Sequence, residues 1–186
     1  MFGNVLSFIG VLNKHIPKHK KMSKFDINNP RIIEKEKRDY ETAKKIFTKI
    51  FSNTSKQLYL EFEQQPAASV SDMRFKVHHP NGNITFFNVE IKTRNCCIDD
   101  CEGLPLTVNK YCNLKEDTKD FERLIYISLV NDEEYFIYDL DKVDMNKVII
   151  RHWLINDIEY SDQPTKKKIP TIFFPTSQAC YNGFIN

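Results

Sequence analysis

Apolar and polar positions follow two periods along this chain, and the change from one to the other predicts its elements. Over residues 31–51 the apolar positions Ile33, Tyr40, Ala43, Phe47 and Ile50 recur at helical spacing. Asn28, Asn29 and Pro30 supply a start and Ser52, Asn53 and Ser55 an end, so a long amphipathic helix is expected. In residues 57–64 Leu58, Leu60 and Phe62 alternate with polar or mixed positions, as in a strand. Two further strand-like runs, 72–79 and 84–94, flank Pro80-Asn81-Gly82-Asn83, and Asn-Gly between alternating runs is a hairpin signal. Residues 95–105 read as a loop and 106–116 as a helix. Residues 124–130 and 135–140 read as strands joined by a turn at Asn131 and Asp132. Residues 148–154 fit a strand or a short helix, and 169–174 a strand preceded by Lys166, Lys167 and Lys168. This order implies an α/β sandwich with a mixed central sheet flanked by helices.

The hairpin register can be argued from its apolar positions. A two-residue loop at Asn81-Gly82 sets Met73 opposite Glu90 and puts Asp72 on the wrong face. A three-residue loop, Asn81 to Asn83, sets Met73, Phe75 and Val77 opposite Ile91, Val89 and Phe87. One face is then uniformly apolar, and Asp72 is expected opposite Lys92 on the side of Glu90.

The segment Val89-Glu90-Ile91-Lys92 carries the candidate chemistry. Residues two apart on a strand share a face, so Glu90 and Lys92 project together, away from Phe87, Val89 and Ile91. Two carboxylates and a lysine at one sheet end suit phosphodiester hydrolysis. Hard divalent cations prefer oxygen ligands. Such an ion polarises a phosphate and acidifies a bound water, and a lysine neutralises developing charge. Metal-ligand duty falls to Asp72 and Glu90, with Mg²⁺ (or Mn²⁺) as the expected cofactor. Glu36 falls within the apolar stripe of the first helix, where a carboxylate is costly unless paired or bound to metal. It is therefore a further candidate. Glu34 and Glu41 lie off that face and read as solvated.

Ser71-Asp72, 17 intervening residues and Glu90-Ile91-Lys92 resemble the motif of the PD-(D/E)XK nuclease superfamily, within a matching helix, strand, hairpin, helix, strand order from about Arg31 to Leu140. The family's proline before the aspartate is replaced by Ser71. The resemblance implies a restriction-endonuclease-like fold and a metal-dependent endonuclease acting on DNA. Its metal-binding aspartate, acidic residue and lysine would map to Asp72, Glu90 and Lys92. Members of this family often place a helix-one glutamate near the metal, which would be Glu36. A basic or polar residue of the helix after the ExK strand often approaches the phosphate, here Lys110 or Tyr111. Cleavage of both strands is often the work of dimers, so a homodimer stays open. RNA cleavage by the same chemistry is the first alternative. A non-catalytic nucleic-acid-binding or assembly module on the same fold is the second.

Charge distribution adds a partner. Residues 1–51 hold 12 Lys and Arg against 5 Asp and Glu, whereas the rest holds 15 against 20. A basic arm over residues 1–30, ahead of a nuclease-like domain over 31–186, points to an anionic partner. The expected nucleic-acid contacts are Lys14, Lys18, Lys20, Lys21 and Lys24 of the arm, with Arg94, Lys110, Lys166, Lys167 and Lys168 of the body. The apolar stretch from Phe2 to Leu12 is a candidate dimer or partner contact. It precedes the positive charges, the wrong order for a secretory signal, and no apolar run reaches the ~18 residues that span a bilayer. A cytoplasmic protein with reduced thiols is therefore expected. Cys96, Cys97, Cys101, Cys112 and Cys180 show no CxxC spacing, so a structural zinc is not expected. No histidine pair has metal-ligand spacing, and His78 reads as a surface or substrate-contact residue.

Overall fold

The computed structural model describes residues 29–53, 57–66, 69–96, 98, 102–156 and 166–185. Helix α1, Pro30–Ser52, begins where Asn29 Oδ1 accepts a hydrogen bond from Arg31 N–H at 3.0 Å and Pro30 occupies a position whose missing N–H costs nothing. Its inward face carries Ile32, Asp39, Ala43, Ile46 and Phe47. The helix extends along the expected span, but its stripe is turned by one residue at the start. Ile32 is buried and Ile33 is 50% exposed.

Strands β1 (Tyr59–Gln64), β2 (Met73–His78), β3 (Ile84–Arg94), β5 (Glu122–Val130), β6 (Glu134–Asp139) and β9 (Tyr181–Phe184) form a six-stranded sheet in the order β1-β2-β3-β5-β6-β9. Strand β3 pairs with β5 in parallel, and every other neighbour is antiparallel. A parallel pair needs a crossover. Strand β4 (Leu104–Thr107) and helix α2 (Val108–Asp117) supply it. A second sheet, β4-β8-β7, adds β7 (Ile149–Asn156) and β8 (Lys166–Phe174), both antiparallel to their neighbours. Two helices and nine strands thus make a mixed α/β arrangement among the described residues.

Period-two alternation sorts the side chains between two cores. On one face of the large sheet, Met73, Phe75, Val77, Phe87, Val89 and Ile91 meet Ala43, Ile46 and Phe47 of α1. Phe75 and Phe87 stack there with ring centroids 4.4 Å apart. On the other face, Leu124, Tyr126 and Tyr138 meet Leu114 of α2 and Ile172 and Phe174 of β8. Strand β5 is buried on both faces, as a central strand flanked by two layers must be. Burying one such aromatic or aliphatic side chain contributes about 1.5–3 kcal/mol.

Three expectations are corrected. The hairpin turn is Pro80-Asn81-Gly82, closed by His79 N–H donating to Asn83 O at 2.8 Å, with Gly82 at φ +83°. A three-residue turn wants its left-handed residue last. Gly82 takes that place, so the turn is centred one residue earlier than expected and the register moves by two. Met73 lies opposite Val89 and Phe75 opposite Phe87. A shift of two keeps every side chain on its face, but Asp72 is not opposite Lys92. The second helix starts at Val108, not at residue 106, because Thr107 caps it by accepting from Lys110 N–H at 3.3 Å. The expected loop over 95–105 ends in β4. Of the two readings left open for 148–154, the structure has the strand, β7, from Ile149. No helix among the described residues is long and apolar enough to cross a membrane.

Candidate active site

The candidate site lies where β1 and β2 stop and β3 runs on. Asp72 sits just ahead of β2. Its N–H donates to Val89 O at 3.0 Å, and its own carbonyl accepts from Gln65 N–H at 3.0 Å. The backbone is thereby fixed on both sides. Beyond Met73 there is no β2 partner for β3, and Ile91 N–H donates instead to Asp72 Oδ2 at 2.7 Å. The aspartate side chain stands in for a missing strand, which aims it at the end of the sheet.

Glu90 and Lys92 share the face of β3 opposite the α1 core. Glu90 is fully buried. Lys92 Nζ lies 2.5 Å from Glu90 Oε1 and 3.9 Å from Asp72 Oδ2. Lys110 Nζ, from the first turn of α2, lies 3.0 Å from Glu90 Oε2. Each carboxylate oxygen thus faces one ammonium group. Burial pushes the Glu90 carboxyl above its ordinary range, Lys92 opposes that shift, and Asp72 adds to it. Burial works against the Lys92 charge, but Glu90 and then Asp72 outweigh it and hold the ammonium above its usual value.

A cavity of about 250 Å³ opens on this group and is lined by Lys35, Glu36, Asp39, Asp72, Lys92 and Lys110 among others. Glu36 therefore does face the site from α1. Burial raises its pKa, as does the Asp72 charge. Four carboxylates, counting Glu90, meet three ammonium groups here.

The sequence-predicted set divides accordingly. Asp72, Glu90, Lys92, Glu36 and Lys110 come together. Arg94 donates to Pro105 O at 2.6 Å and holds β4 against β3, with its Nε buried. Lys166 lines a neighbouring groove with Lys92, Arg94 and Lys110. Lys167 and Lys168 are exposed on β8 and line none of the cavities described here. Tyr111 is buried beside Phe174, where burial pushes its hydroxyl up to about 12, so it belongs to the core. His78 stands at the opposite end of β2 with Glu61 at 3.3 Å. Lys14, Lys18, Lys20, Lys21 and Lys24, the apolar segment before them, and Cys97 and Cys101 lie outside the described residues.

Sequence reasoning missed Lys35 and Asp39. Asp39 is 6% exposed and is held by Lys35 Nζ at 2.9 Å. The signal was available, since Lys35 and Asp39 are four apart and flank Glu36 on the inward stripe.

Carboxylate oxygens are the donors a hard divalent ion prefers. Asp72 and Glu36 offer such oxygens at the cavity, whereas both oxygens of Glu90 are buried against the Lys92 and Lys110 ammonium groups. Among the described residues, no three His, Cys, Asp or Glu side chains converge into a metal-binding cluster. Mg²⁺ commonly uses one or two carboxylates and keeps several waters; Asp72 and Glu36 line the cavity, and Glu90 would join them only by releasing a lysine.

Compared with known protein families, with curated proteins and with solved structures, the chain matches none.

Proposed function

We propose that this protein is a metal-dependent endonuclease of the PD-(D/E)XK type, with a restriction-endonuclease-like fold, that hydrolyses phosphodiester bonds in DNA. The observation that carries this reading is the convergence of Asp72, Glu90 and Lys92 at the open end of β3, where a fully buried carboxylate touches two ammonium groups beside a cavity. A buried carboxylate with a raised pKa is a burden on folding, and such burdens cluster where chemistry needs them.

Asp72 and Glu90 would hold Mg²⁺ or Mn²⁺, with Glu36 across the cavity. The bound ion would supply a water acidified enough to attack at neutral pH and would polarise the scissile phosphate. Ile91 N–H fixes the Asp72 carboxylate. Lys92 and Lys110 place positive charge beside the pentacovalent phosphate, where it stabilises the transition state more than the ground state. Lys92, one-third exposed, can also orient the water by hydrogen bonding. Asp39 and Lys35 pair with each other along α1 and line the same cavity.

A non-catalytic nucleic-acid-binding module is the second reading, because two lysines already answer the charge of Glu90. One assay separates the two. The full chain is incubated with matched DNA and RNA in Mg²⁺, in Mn²⁺ and in EDTA. The nuclease reading expects cleavage only with metal, DNA ahead of RNA, and complete loss in Asp72→Ala, Glu90→Ala and Lys92→Ala with folding retained by circular dichroism. Cleavage that persists in Glu90→Ala would overturn it, and absence of cleavage with retained binding would favour the module.

A further inference from the structure

Beside the candidate site runs a groove of about 600 Å³, lined by Lys92, Arg94, Lys110, Lys166 and Trp153 among others, with no carboxylate among its described lining residues. Lys92 and Lys110 line both this groove and the cavity over Asp72. The two spaces therefore meet at the pair of ammonium groups that touch Glu90. Anything bound along the groove is led across the candidate site.

Trp153 gives the groove a second character. It stands on β7 and is 42% exposed, an uncommon placement for a large aromatic ring. Its position is braced. The Arg151 guanidinium carbon lies 4.9 Å from its ring centroid, and Phe173 meets it edge-on at 5.3 Å. Arg151 is in turn held by Glu102 Oε2 at 2.7 Å. Leu154, 53% exposed, lines the groove beside it. A braced ring that stays part exposed is a platform for a flat ligand.

From this pairing we infer that the groove binds a single-stranded polynucleotide, with one base stacked on Trp153 and the backbone led past Arg94 and Lys110 to Lys92. The inference rests on the nuclease reading for the identity of the site and adds the form of the substrate. Cationic walls neutralise phosphates without regard to sequence. An aromatic face takes any base that is unstacked. In a duplex both faces of each base are already covered, and a space of this size, within the range of a small-molecule cleft of about 300–1,000 Å³, seats a nucleotide or two.

The chain contains a single tryptophan, so its emission reports this ring alone. The full chain is titrated in EDTA, where no cleavage occurs, with oligo-dT, oligo-rU and a duplex of equal length. Both single strands are expected to quench Trp153 emission, and the duplex to bind more weakly with little quenching. Anisotropy of labelled oligo-dT should show about a 10- to 100-fold loss of affinity in Trp153→Ala. Trp153→Phe, which keeps an aromatic face, should recover most of it. Unquenched emission on saturation with both single strands would overturn the inference, as would a duplex that binds as tightly as oligo-dT, or Trp153→Ala binding like the parent. A difference between oligo-dT and oligo-rU identifies which polynucleotide the platform prefers. The outcomes are separable from the nuclease reading. Metal-dependent cleavage without quenching removes the stacking platform alone, and quenching without any cleavage in Mg²⁺ or Mn²⁺ removes the catalytic reading alone.

Discussion

Lys110 Nζ lies 3.0 Å from Glu90 Oε2, so the first turn of α2 reaches across to the middle of β3 and closes the candidate site from above. Thr107 caps α2 and fixes the helix start from which Lys110 projects. A lysine this close to a buried carboxylate can either balance charge for folding or await a phosphate. The two roles predict different variants. Removing one positioned charge from a transition state typically costs about 100-fold or more in rate. Lys110→Ala is therefore expected to lower the single-turnover cleavage rate by about that factor with a small change in melting temperature. A variant that melts much earlier yet cleaves at the parent rate assigns Lys110 to folding alone.

Glu36 provides a test from the other wall. It lines the cavity, and burial and Asp72 both raise its pKa. Glu34, close by on the same helix, is exposed. If Glu36 supports the metal, Glu36→Gln should raise the Mg²⁺ concentration for half-maximal cleavage by about 10-fold, the effect typical of a group just outside the ligands. Glu34→Gln should leave it unchanged. Equal effects in the two variants would remove Glu36 from the site.

The Glu90 carboxyl links the site to stability. Burial raises its pKa above the ordinary 4.5, so the folded protein keeps this proton at a pH where the unfolded chain has released it. Stability from this group is then full below 4.5 and falls as pH rises from there through the folded value. Glu90→Gln has no such proton. Urea midpoints measured over a pH series should show the variant gaining on the parent as pH rises above 4.5 and levelling off once Glu90 ionises in the fold. Saturating Mg²⁺ should stabilise the parent and not the variant, since only an ionised carboxylate is a good ligand. A gap between the two proteins that is constant with pH would mean that Glu90 titrates normally.

The residues that were legible in the sequence are those whose neighbours repeat a pattern. In β2 and β3, Met73, Phe75, Val77, Phe87, Val89 and Ile91 alternate long enough to define a face, and the face placed Glu90 and Lys92 together. The facing parity was legible, but not the register, because Pro80-Asn81-Gly82 and Asn81-Gly82-Asn83 are both three-residue turns and only the left-handed φ of Gly82 chooses between them. Ile32 and Ile33 are adjacent, so periodicity alone could not say which one α1 buries. Strand β4 has two inward residues, Leu104 and Leu106, too few to show a period before the helix begins. The second sheet escaped notice for that reason, and with it the groove that Trp153 lines.

Two glycines with positive φ separate local strain from a disturbance that reaches the site. A Cβ at Gly82 would meet nothing within 4 Å, so Gly82→Ala pays only for the left-handed backbone at φ +83°. That cost is about 1–2 kcal/mol. Gly103, at φ +145°, is different, because a Cβ there would lie 2.7 Å from Phe174 O and 2.8 Å from Phe174 C. Those are backbone atoms and cannot swing aside. Phe174 cannot retreat either, since its ring is fully buried with the Tyr126 and Tyr138 rings 5.7 and 5.6 Å away. The strain must be relieved by moving β4, which pairs Leu104 with Phe174 and runs directly into Thr107 and α2. Overpacking and backbone strain each cost about 1–3 kcal/mol. Gly103→Ala should therefore lose about 3 kcal/mol or more in urea unfolding. It should also lower the cleavage rate of the fraction that remains folded, because Lys110 moves with β4. Gly82→Ala should lose about a third to a half as much and cleave at the parent rate. If both variants were destabilised alike and both kept full activity, β4 would not be what positions Lys110 over Glu90.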